Sequence, residues 1–327
     1  MRRTDWIDMA KGYGILGVII GHIATPGITV WIYTFHIPMF FFLSGYLFKT
    51  NYSFDNFLKR RVKSLLIPYF CLSVPVLFHE LVYSKGLSFG WNDVCSEGMK
   101  VVFQERYTPL WFISSLLGAN LLFYFMNRYL KNNWAKWFVV FLLVTFVLVY
   151  WNKGVGPFYW NFDISLFVMP FMLIGLQLHD NKILMKVYSR RRVLAMILFL
   201  LSNIVLGALN YHISGRKTDL FYNDVDIVPV SYLTALCGIM FIILLSRLWT
   251  IRWIQYLGRN SLLIFAWHLI AYNWIGRLYD CLNIFHTPLS LSMIFVRDLV
   301  SLALILVILI PINEVILHSR MKFILGR

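Results

Sequence analysis

The sequence predicts an all-α integral membrane protein with about ten transmembrane helices and with both termini in the cytoplasm. Hydrophobic residues make up 59% of the chain and charged residues only 14%, and the mean hydropathy is +0.68. Soluble domains are closer to half apolar and a quarter charged. Long apolar runs recur along the chain, and a helix needs roughly 20 such residues to cross the hydrocarbon core of a bilayer.

Apolar segments separated by short polar loops extend over the whole chain, so that 1–327 is predicted to be a single polytopic transmembrane domain. The segments lie near 7–24, 35–48, 65–83, 109–127, 137–151, 160–178, 193–210, 228–246, 258–279 and 292–316. The second segment is short, and we expect it to be tilted or to belong to a bent hairpin. The outer loops near 84–108 and 211–227 are the only extramembrane surfaces predicted to be large enough to shape a substrate site.

The distribution of basic residues predicts the orientation of the chain. With the N-terminus inside, the predicted cytoplasmic segments hold 21 of the 30 Lys and Arg residues, the outer segments six and the spans three. An excess of Lys and Arg in cytoplasmic loops orients membrane proteins. The net charge of +15 is therefore explained by topology. The expected partner is the lipid bilayer, no nucleic-acid partner is predicted, and the sequence gives no oligomeric state.

The first segment places two ionisable residues on one face of its helix. Lys11 and His22 are eleven positions apart, and eleven steps of about 100° end only ~20° beyond three full turns. At about 1.5 Å per residue the two residues are about 16–17 Å apart along the axis. Ionisable groups inside a bilayer are costly and are functional candidates by default. Alternatively, Lys11 extends to the inner headgroups and His22 caps the outer helix end; Asp8 can pair with Lys11 in either case.

The first two segments and the loop that follows them also contain a second histidine, a stripe of small residues and a basic cluster. His36 opens the second segment, where a short hairpin would bring it near His22. A smooth stripe on the first helix allows another helix or a thin ligand chain to approach closely; it consists of Gly14, Gly17 and Gly21. Arg61 and Lys63 follow the second segment at its cytoplasmic end. Topology explains most of this charge, but the planar Arg61 guanidinium also suits the phosphate of an anionic cytosolic cofactor.

These motifs resemble those of the bacterial membrane acyltransferase-3 family. The first segment is similar to its (Arg/Lys)-x10-His motif through Lys11 and His22, and Asp8 and Gly12 match the residues around the basic position. The second segment, FHIPMFFFLSGYLF, resembles its Phe-Phe-x-x-Ser-Gly-Tyr element and is closest to the subgroup that includes fucose O-acetyltransferases.

Further family landmarks extend the resemblance over nearly the whole chain. The family's Arg-x-x-Arg-x-x-x-Pro element is matched by RVKSLLIPY with Arg61 at the first arginine, although Ser64 replaces the second. TPLWFI around Trp111 and GRNSLLIFAWH ending at His268 also look like family segments. Each motif alone is weak, but their order and spacing together are fairly specific.

The resemblance implies transfer of an acyl group, usually acetyl from acetyl-CoA, to a hydroxyl of a cell-envelope polysaccharide or lipid-linked glycan at the bacterial inner (plasma) membrane. Lys11, Arg61 and the neighbouring Lys63 would hold the CoA phosphates. His22, with His36 nearby, would act as a general base or as a nucleophile that carries the acetyl group. No metal is predicted, because the four cysteines lack metal-ligand spacing.

Three residues are candidates for acceptor binding, and each has an alternative. Trp111 resembles a family landmark but also suits an interfacial anchor. His268 is equally well explained as a hydrogen-bonded packing histidine. Asp163 lies with other outer carboxylates near aromatic residues, an arrangement that suits sugar hydroxyls, although loops are commonly polar. These other carboxylates are Asp219, Asp224 and Asp226.

Two other functions fit a chain of this class. A transporter or flippase for a lipid-linked sugar or small metabolite would also have many helices, a charged pair within one span and acidic outer loops. The sequence shows no repeated half and no matching pair of broken helices, which transporters often have. A receptor or structural subunit would not need Lys11 and His22 on one face of a span. The sequence therefore favours the acyltransferase.

Overall fold

A computed structural model of the chain describes residues 5–104, 106–181, 189–225, 227–285 and 289–327, and these residues are mostly helical. They contain no strand, and their β pairing is an isolated bridge between Asp219 and Asp224. The prediction of an all-α protein is confirmed for this part of the chain.

Each predicted apolar segment corresponds to a helix or to a pair of helices. The α-helices are α1 (Asp5–Ile23), α2 (Pro26–Tyr33), α3 (His36–Tyr46), α4 (Phe54–Arg61), α5 (Ile67–Lys85), α6 (Trp91–Phe103), α7 (Trp111–Tyr129), α8 (Asn133–Asn152), α9 (Phe162–Phe167), α10 (Met169–Asp180), α11 (Ser189–Ser214), α12 (Val228–Ser246), α13 (Arg252–Arg259), α14 (Ser261–Cys281) and α15 (Leu291–His318). A π-helix joins α4 to α5, and short 3₁₀ helices precede α9 and follow α15. Their bounds are Val62–Leu66, Tyr159–Asn161 and Arg320–Leu325.

Within the described residues, six helical segments are long and apolar enough to cross a membrane. They are Pro26–Tyr46, Phe54–Lys85, Asn133–Asn152, Arg191–Ser214, Val228–Ser246 and Leu291–His318. The pair Tyr159–Phe167 and Met169–Asp180 is bent by 55° and gives a seventh span if it is counted as one. A multi-pass membrane protein is thereby supported, while the count of ten spans and the cytoplasmic termini stay predictions.

Three further helices have the length of a span but a more polar composition. They are α1, α7 and α14, with 19, 19 and 21 residues. Their polar side chains include Asn120 and Asn127 of α7 and His268 of α14, all of which are buried inside the protein. Polar groups in membrane helices usually face the protein interior rather than lipid. The lower hydropathy of these helices therefore reflects their burial among other helices.

The described parts of 1–47 and 174–311 form one compact unit, in which α1 packs directly against α13. A Cβ atom added to Gly12 would overlap the carbonyl oxygen of Ile254, and one added to Gly258 would overlap the carbonyl oxygen of Asp8. The two backbones therefore touch, which only glycine permits at both positions. This contact fixes the end of α1 that carries Lys11.

The carboxylate of Asp8 adds a polar contact to the same interface. It accepts a hydrogen bond from Nε of Arg259 on α13 at 2.7 Å. The sequence suggested that Asp8 could pair with Lys11, three residues further along α1. The tight α1–α13 packing instead brings Arg259 to the carboxylate, so the pairing of Asp8 is made between helices.

The described parts of Phe48–Leu173 and Ile312–Arg327 form a second compact unit. Pro68 has no backbone N–H, and its ring would collide with the carbonyl group of Ser64 in a regular α-helix. The chain widens into the π-helix Val62–Leu66 just before this proline. Gly326, with φ +73°, lies against the widened turn, because a Cβ there would be 2.9 Å from the carbonyl oxygen of Lys63. The C-terminal residues therefore lie beside the basic cluster of this unit.

Candidate active site

Histidines from three different helices come together in the first unit. The rings of His22 on α1 and His268 on α14 have their centroids 5.0 Å apart. His36, the first residue of α3, lies against the ring of Tyr33 with centroids 4.9 Å apart, and Tyr33 in turn lies 6.0 Å from His22. The hairpin that α1 forms with the span Pro26–Tyr46 thus brings His36 to the neighbourhood of His22, as the sequence predicted.

The three histidines differ in exposure and in hydrogen bonding. His36 and His268 are buried, with 4% and 1% of their surface exposed, whereas His22 is exposed. Nδ1 of His36 lies 2.8 Å from the carbonyl oxygen of Ile32, and Nδ1 of His268 lies 2.7 Å from that of Phe265. Because a carbonyl oxygen only accepts, both Nδ1 atoms carry the proton and, in the neutral rings, both Nε2 atoms are acceptors.

His268 contributes an unused acceptor to this cluster. Its Nε2 atom is buried and has no hydrogen-bond partner among the described residues. Buried polar groups are normally satisfied, so an orphan of this kind needs an explanation such as a functional role or a bound water. His22, beside it, is the histidine of the three that is open to an incoming molecule.

The glycine stripe of α1 packs against α2 and α3, which together form the span Pro26–Tyr46. A Cβ on Gly21 would be 3.0 Å from the ring of Tyr33, and one on Gly17 would be 3.6 Å from Cβ of His36. Another helix therefore fills the smooth surface, which was one of the two occupants expected from the sequence. The absence of side chains at these positions sets how closely Tyr33 and His36 approach α1.

Two of the cations predicted to hold the donor, Lys11 and Arg61, have no carboxylate partner among the described residues. Lys11 is half-buried near the other end of α1, and no carboxylate among the described residues forms an ion pair with it. In the second unit, the guanidinium of Arg61 lies over the ring of Phe57, 5.3 Å from its centroid, and it likewise has no carboxylate partner in the described part of the chain. Lys63 is exposed. Their predicted donor roles stay predictions.

Comparison with known proteins identifies the family. A family model described as an acyltransferase domain, the acyltransferase-3 model, matches residues 4–312. The chain belongs to this family. Searches of curated proteins and of solved structures returned no significant match. The matched range includes Lys11 and all three clustered histidines, so the cluster belongs to a multi-pass membrane acyltransferase. The fucose O-acetyltransferase-like subgroup stays a prediction.

Asp163 of this acyltransferase is buried in an ion pair of the second unit. Its Oδ2 atom accepts from Nη2 of Arg106 at 2.5 Å and from Nε1 of Trp151 at 2.9 Å. The carboxylate is 0% exposed, and its Oδ1 atom has no hydrogen-bond partner among the described residues. The sequence suggested an outer, sugar-facing carboxylate, whereas the structure places Asp163 inside the protein.

The backbone around this ion pair is unusual. Five residues that are not glycine have φ between 50° and 59°; they are Gln104, Arg106, Thr108, Trp160 and Asn161. Such left-handed residues are uncommon and persist only where the surroundings hold them. Gln104 donates to the hydroxyl of Tyr69 at 2.6 Å and accepts from the backbone of Tyr107 at 3.0 Å. Burial raises the pKa of the Tyr107 hydroxyl, which therefore stays neutral.

Trp111 begins α7 directly after this segment and is 8% exposed. It therefore packs inside the protein and does not extend into the interface as an anchor. Its acceptor role stays a prediction, as does that of Asp163.

The acidic residues that the sequence predicted on the outer side of the first unit are paired within their own loop. Asp219 forms an ion pair with Lys217 at 3.1 Å, and Asp224 forms one with Arg216 at 3.2 Å. Asp226 lies outside the described residues. Both described carboxylates are thus occupied by neighbouring cations, which is the common arrangement in a polar loop.

Sequence reasoning missed two residues that adjoin the histidines. Tyr33 contacts both His22 and His36, and Nζ of Lys217 lies over the ring of Tyr33 at 4.0 Å from its centroid. Tyr33 lies three residues before His36 in the same helical span, and this spacing was a usable signal because residues three apart are neighbours on a helix surface. Lys217 had no such signal, because it reaches the site from a loop that is distant in the sequence.

Proposed function

We propose that this protein is a membrane O-acyltransferase of the bacterial plasma membrane that moves an acetyl group from acetyl-CoA to a hydroxyl of a cell-envelope polysaccharide or lipid-linked glycan. The proposal rests on the exposed ring of His22, which lies beside buried His268 in a member of an acyltransferase family. Lys11 shares the helix face of His22 and supplies a cation for the donor about 16–17 Å away.

The chemistry of this proposal needs one group that accepts and returns a proton. An imidazole nitrogen of His22 takes the proton of the acceptor hydroxyl while the hydroxyl oxygen attacks the thioester carbonyl. The new C–O bond forms, the C–S bond breaks, and the CoA thiolate leaves and is protonated by the imidazolium. In the alternative route, His22 first accepts the acyl group and then passes it to the hydroxyl.

The neighbouring histidines have supporting roles in this proposal. We expect the unpartnered Nε2 of His268 to accept a hydrogen bond from the acceptor hydroxyl or from protonated His22. His36 is held by its bond to the carbonyl of Ile32 and orients the surroundings of His22. Neither ring is exposed, so the acceptor is expected to reach His22 first.

The function is tested with purified protein in lipid vesicles, supplied with acetyl-labelled acetyl-CoA and a panel of envelope glycans. We expect label to appear in at least one glycan, accompanied by free CoA thiol. Uptake of an unmodified glycan into the vesicles, with no thiol released for any acceptor, would contradict this function and favour a transporter or flippase.

Donor binding is expected to depend on Lys11 and on Arg61, and a separate single substitution tests each residue. Removing a charged hydrogen bond to phosphate should cost roughly 1.5–3 kcal/mol, or about 10- to 150-fold in affinity for CoA. Lys11→Ala and Arg61→Ala are therefore expected to weaken CoA binding, measured by calorimetry on protein in nanodiscs.

Lys59→Ala is the matched control for these variants, because Lys59 is an exposed cation of the same basic segment. It should leave CoA affinity nearly unchanged. Unchanged affinity for CoA in folded Arg61→Ala would show that the basic cluster only orients the chain in the membrane. Unchanged affinity in Lys11→Ala would show that Lys11 only extends to the lipid headgroups.

A further inference from the structure

Tyr33 occupies a fixed position between two of the clustered histidines. Its ring lies 4.9 Å from the ring of buried His36, and α1 approaches it so closely that a Cβ on Gly21 would be 3.0 Å from its Cε2 atom. Nζ of Lys217 covers the ring at 4.0 Å from the centroid. Contacts from three directions therefore hold the aromatic ring in place.

The loop that carries Lys217 is itself fastened. Asp219 pairs with Lys217 at 3.1 Å and accepts a hydrogen bond from the backbone of Phe221. The backbones of Asp219 and Asp224 exchange hydrogen bonds of 2.7 and 3.0 Å, and Arg216 pairs with the carboxylate of Asp224. A cation held over an aromatic face is attracted by the ring, so this loop adds to the restraint on Tyr33.

The hydroxyl of this restrained ring meets one particular nitrogen of His22. Oη of Tyr33 lies 3.5 Å from Nδ1 of His22, a length at the outer limit of a hydrogen bond. A neutral imidazole carries its proton on one nitrogen and accepts on the other. If Nδ1–H donates to the tyrosine oxygen, Nε2 is left unprotonated. Both the base and the nucleophile routes need such a nitrogen, and the partner of the other nitrogen determines which one it is.

We propose that Tyr33 is a positioning residue that accepts a hydrogen bond from Nδ1–H of His22 and thereby keeps Nε2 of His22 free to react. The effect of Tyr33 on catalysis rests on the proposed acyl transfer. The tautomer of His22 does not depend on that function. When Nε2 takes up the proton of the acceptor hydroxyl, Nδ1–H keeps the same partner, and the ring does not need to turn between the two proton transfers.

The tautomer is measured directly by ¹⁵N solid-state NMR of histidine-labelled protein in bilayers without substrate. Among the eight histidines, the His22 signal is the one that disappears in His22→Ala. We expect the Nδ1–H form in the wild type and a mixture of both forms in Tyr33→Phe. An Nε2–H form in the wild type, or the same form in both proteins, would overturn the proposal, whether or not acyl transfer is found.

Tyr33→Phe keeps the ring and its contacts with His36 and Lys217, so the fold should be retained. We expect kcat to fall about tenfold, equivalent to about 1.4 kcal/mol, with KM for donor and acceptor unchanged. Tyr211→Phe, an exposed tyrosine on α11, should change neither. A wild-type kcat in Tyr33→Phe would overturn the positioning role even if the tautomer were as expected.

Discussion

Replacing His22 with Ala is expected to reduce acyl transfer by about 10²–10⁴-fold, which is the usual contribution of a general base. The ring is exposed, and its Nδ1 atom lies 3.5 Å from the hydroxyl oxygen of Tyr33. Its removal should therefore leave the helical fold and the thermal unfolding midpoint almost unchanged. Release of CoA thiol in the presence of acceptor measures the loss.

His212→Ala is the matched control, because His212 is also an exposed histidine, on α11. It should retain full activity. His36→Ala should lose less than His22→Ala if His36 only orients its surroundings. Retention of more than about a tenth of the turnover by His22→Ala would exclude it as base or nucleophile. The reacting nitrogen would then belong to His36 or His268.

Replacing Asp163 with Ala is expected to destabilise the second unit by about 3–5 kcal/mol, the usual effect of removing one member of a buried ion pair. The side chains of Arg106 and Asp163 are only 8% and 0% exposed, so the substitution removes the carboxylate from a buried guanidinium. It also leaves the indole N–H of Trp151 without its acceptor. Unfolding in detergent, followed by heat or denaturant, measures the change.

Asp224→Ala is the control for this prediction, because its ion pair with Arg216 is exposed, with side-chain exposures of 36% and 69%. Exposed pairs contribute roughly 0–1 kcal/mol. If Asp163→Ala were no more destabilising than Asp224→Ala but abolished activity, Asp163 would have the acceptor-binding role that the sequence first suggested.

The positions of the helices could be predicted because runs of apolar residues mark them directly. The segment 228–246 coincides with α12, Val228–Ser246. The segment 160–178 is instead divided between α9 and α10, with a bend of 55°. Pro170 lies at the bend, and a proline inside a helix removes a hydrogen bond and collides with the preceding turn. The proline was visible in the sequence, but its effect on the span was not predicted.

The candidate site could be predicted only where local geometry determines it. Helical periodicity places Lys11 and His22 on one face, and a short hairpin brings His36 near. The contact between His22 and His268 depends on tertiary packing of α1 with α14, which no local pattern encodes. The same holds for Asp163, whose partner Arg106 is 57 positions away. Because that pair is buried, Asp163 lies in the interior and not on the surface, where the sequence suggested it.

The most direct test of the proposed acyl transfer follows both products of one reaction. Purified protein in nanodiscs receives acetyl-labelled acetyl-CoA and the acceptor glycan, and free thiol and acetylated glycan are counted together. We expect one thiol for each acetyl group transferred by the wild type, and neither product above background for His22→Ala. Acetylated glycan formed at an undiminished rate by His22→Ala, or thiol released by the wild type without any acetylated glycan, would contradict transfer at the histidine cluster.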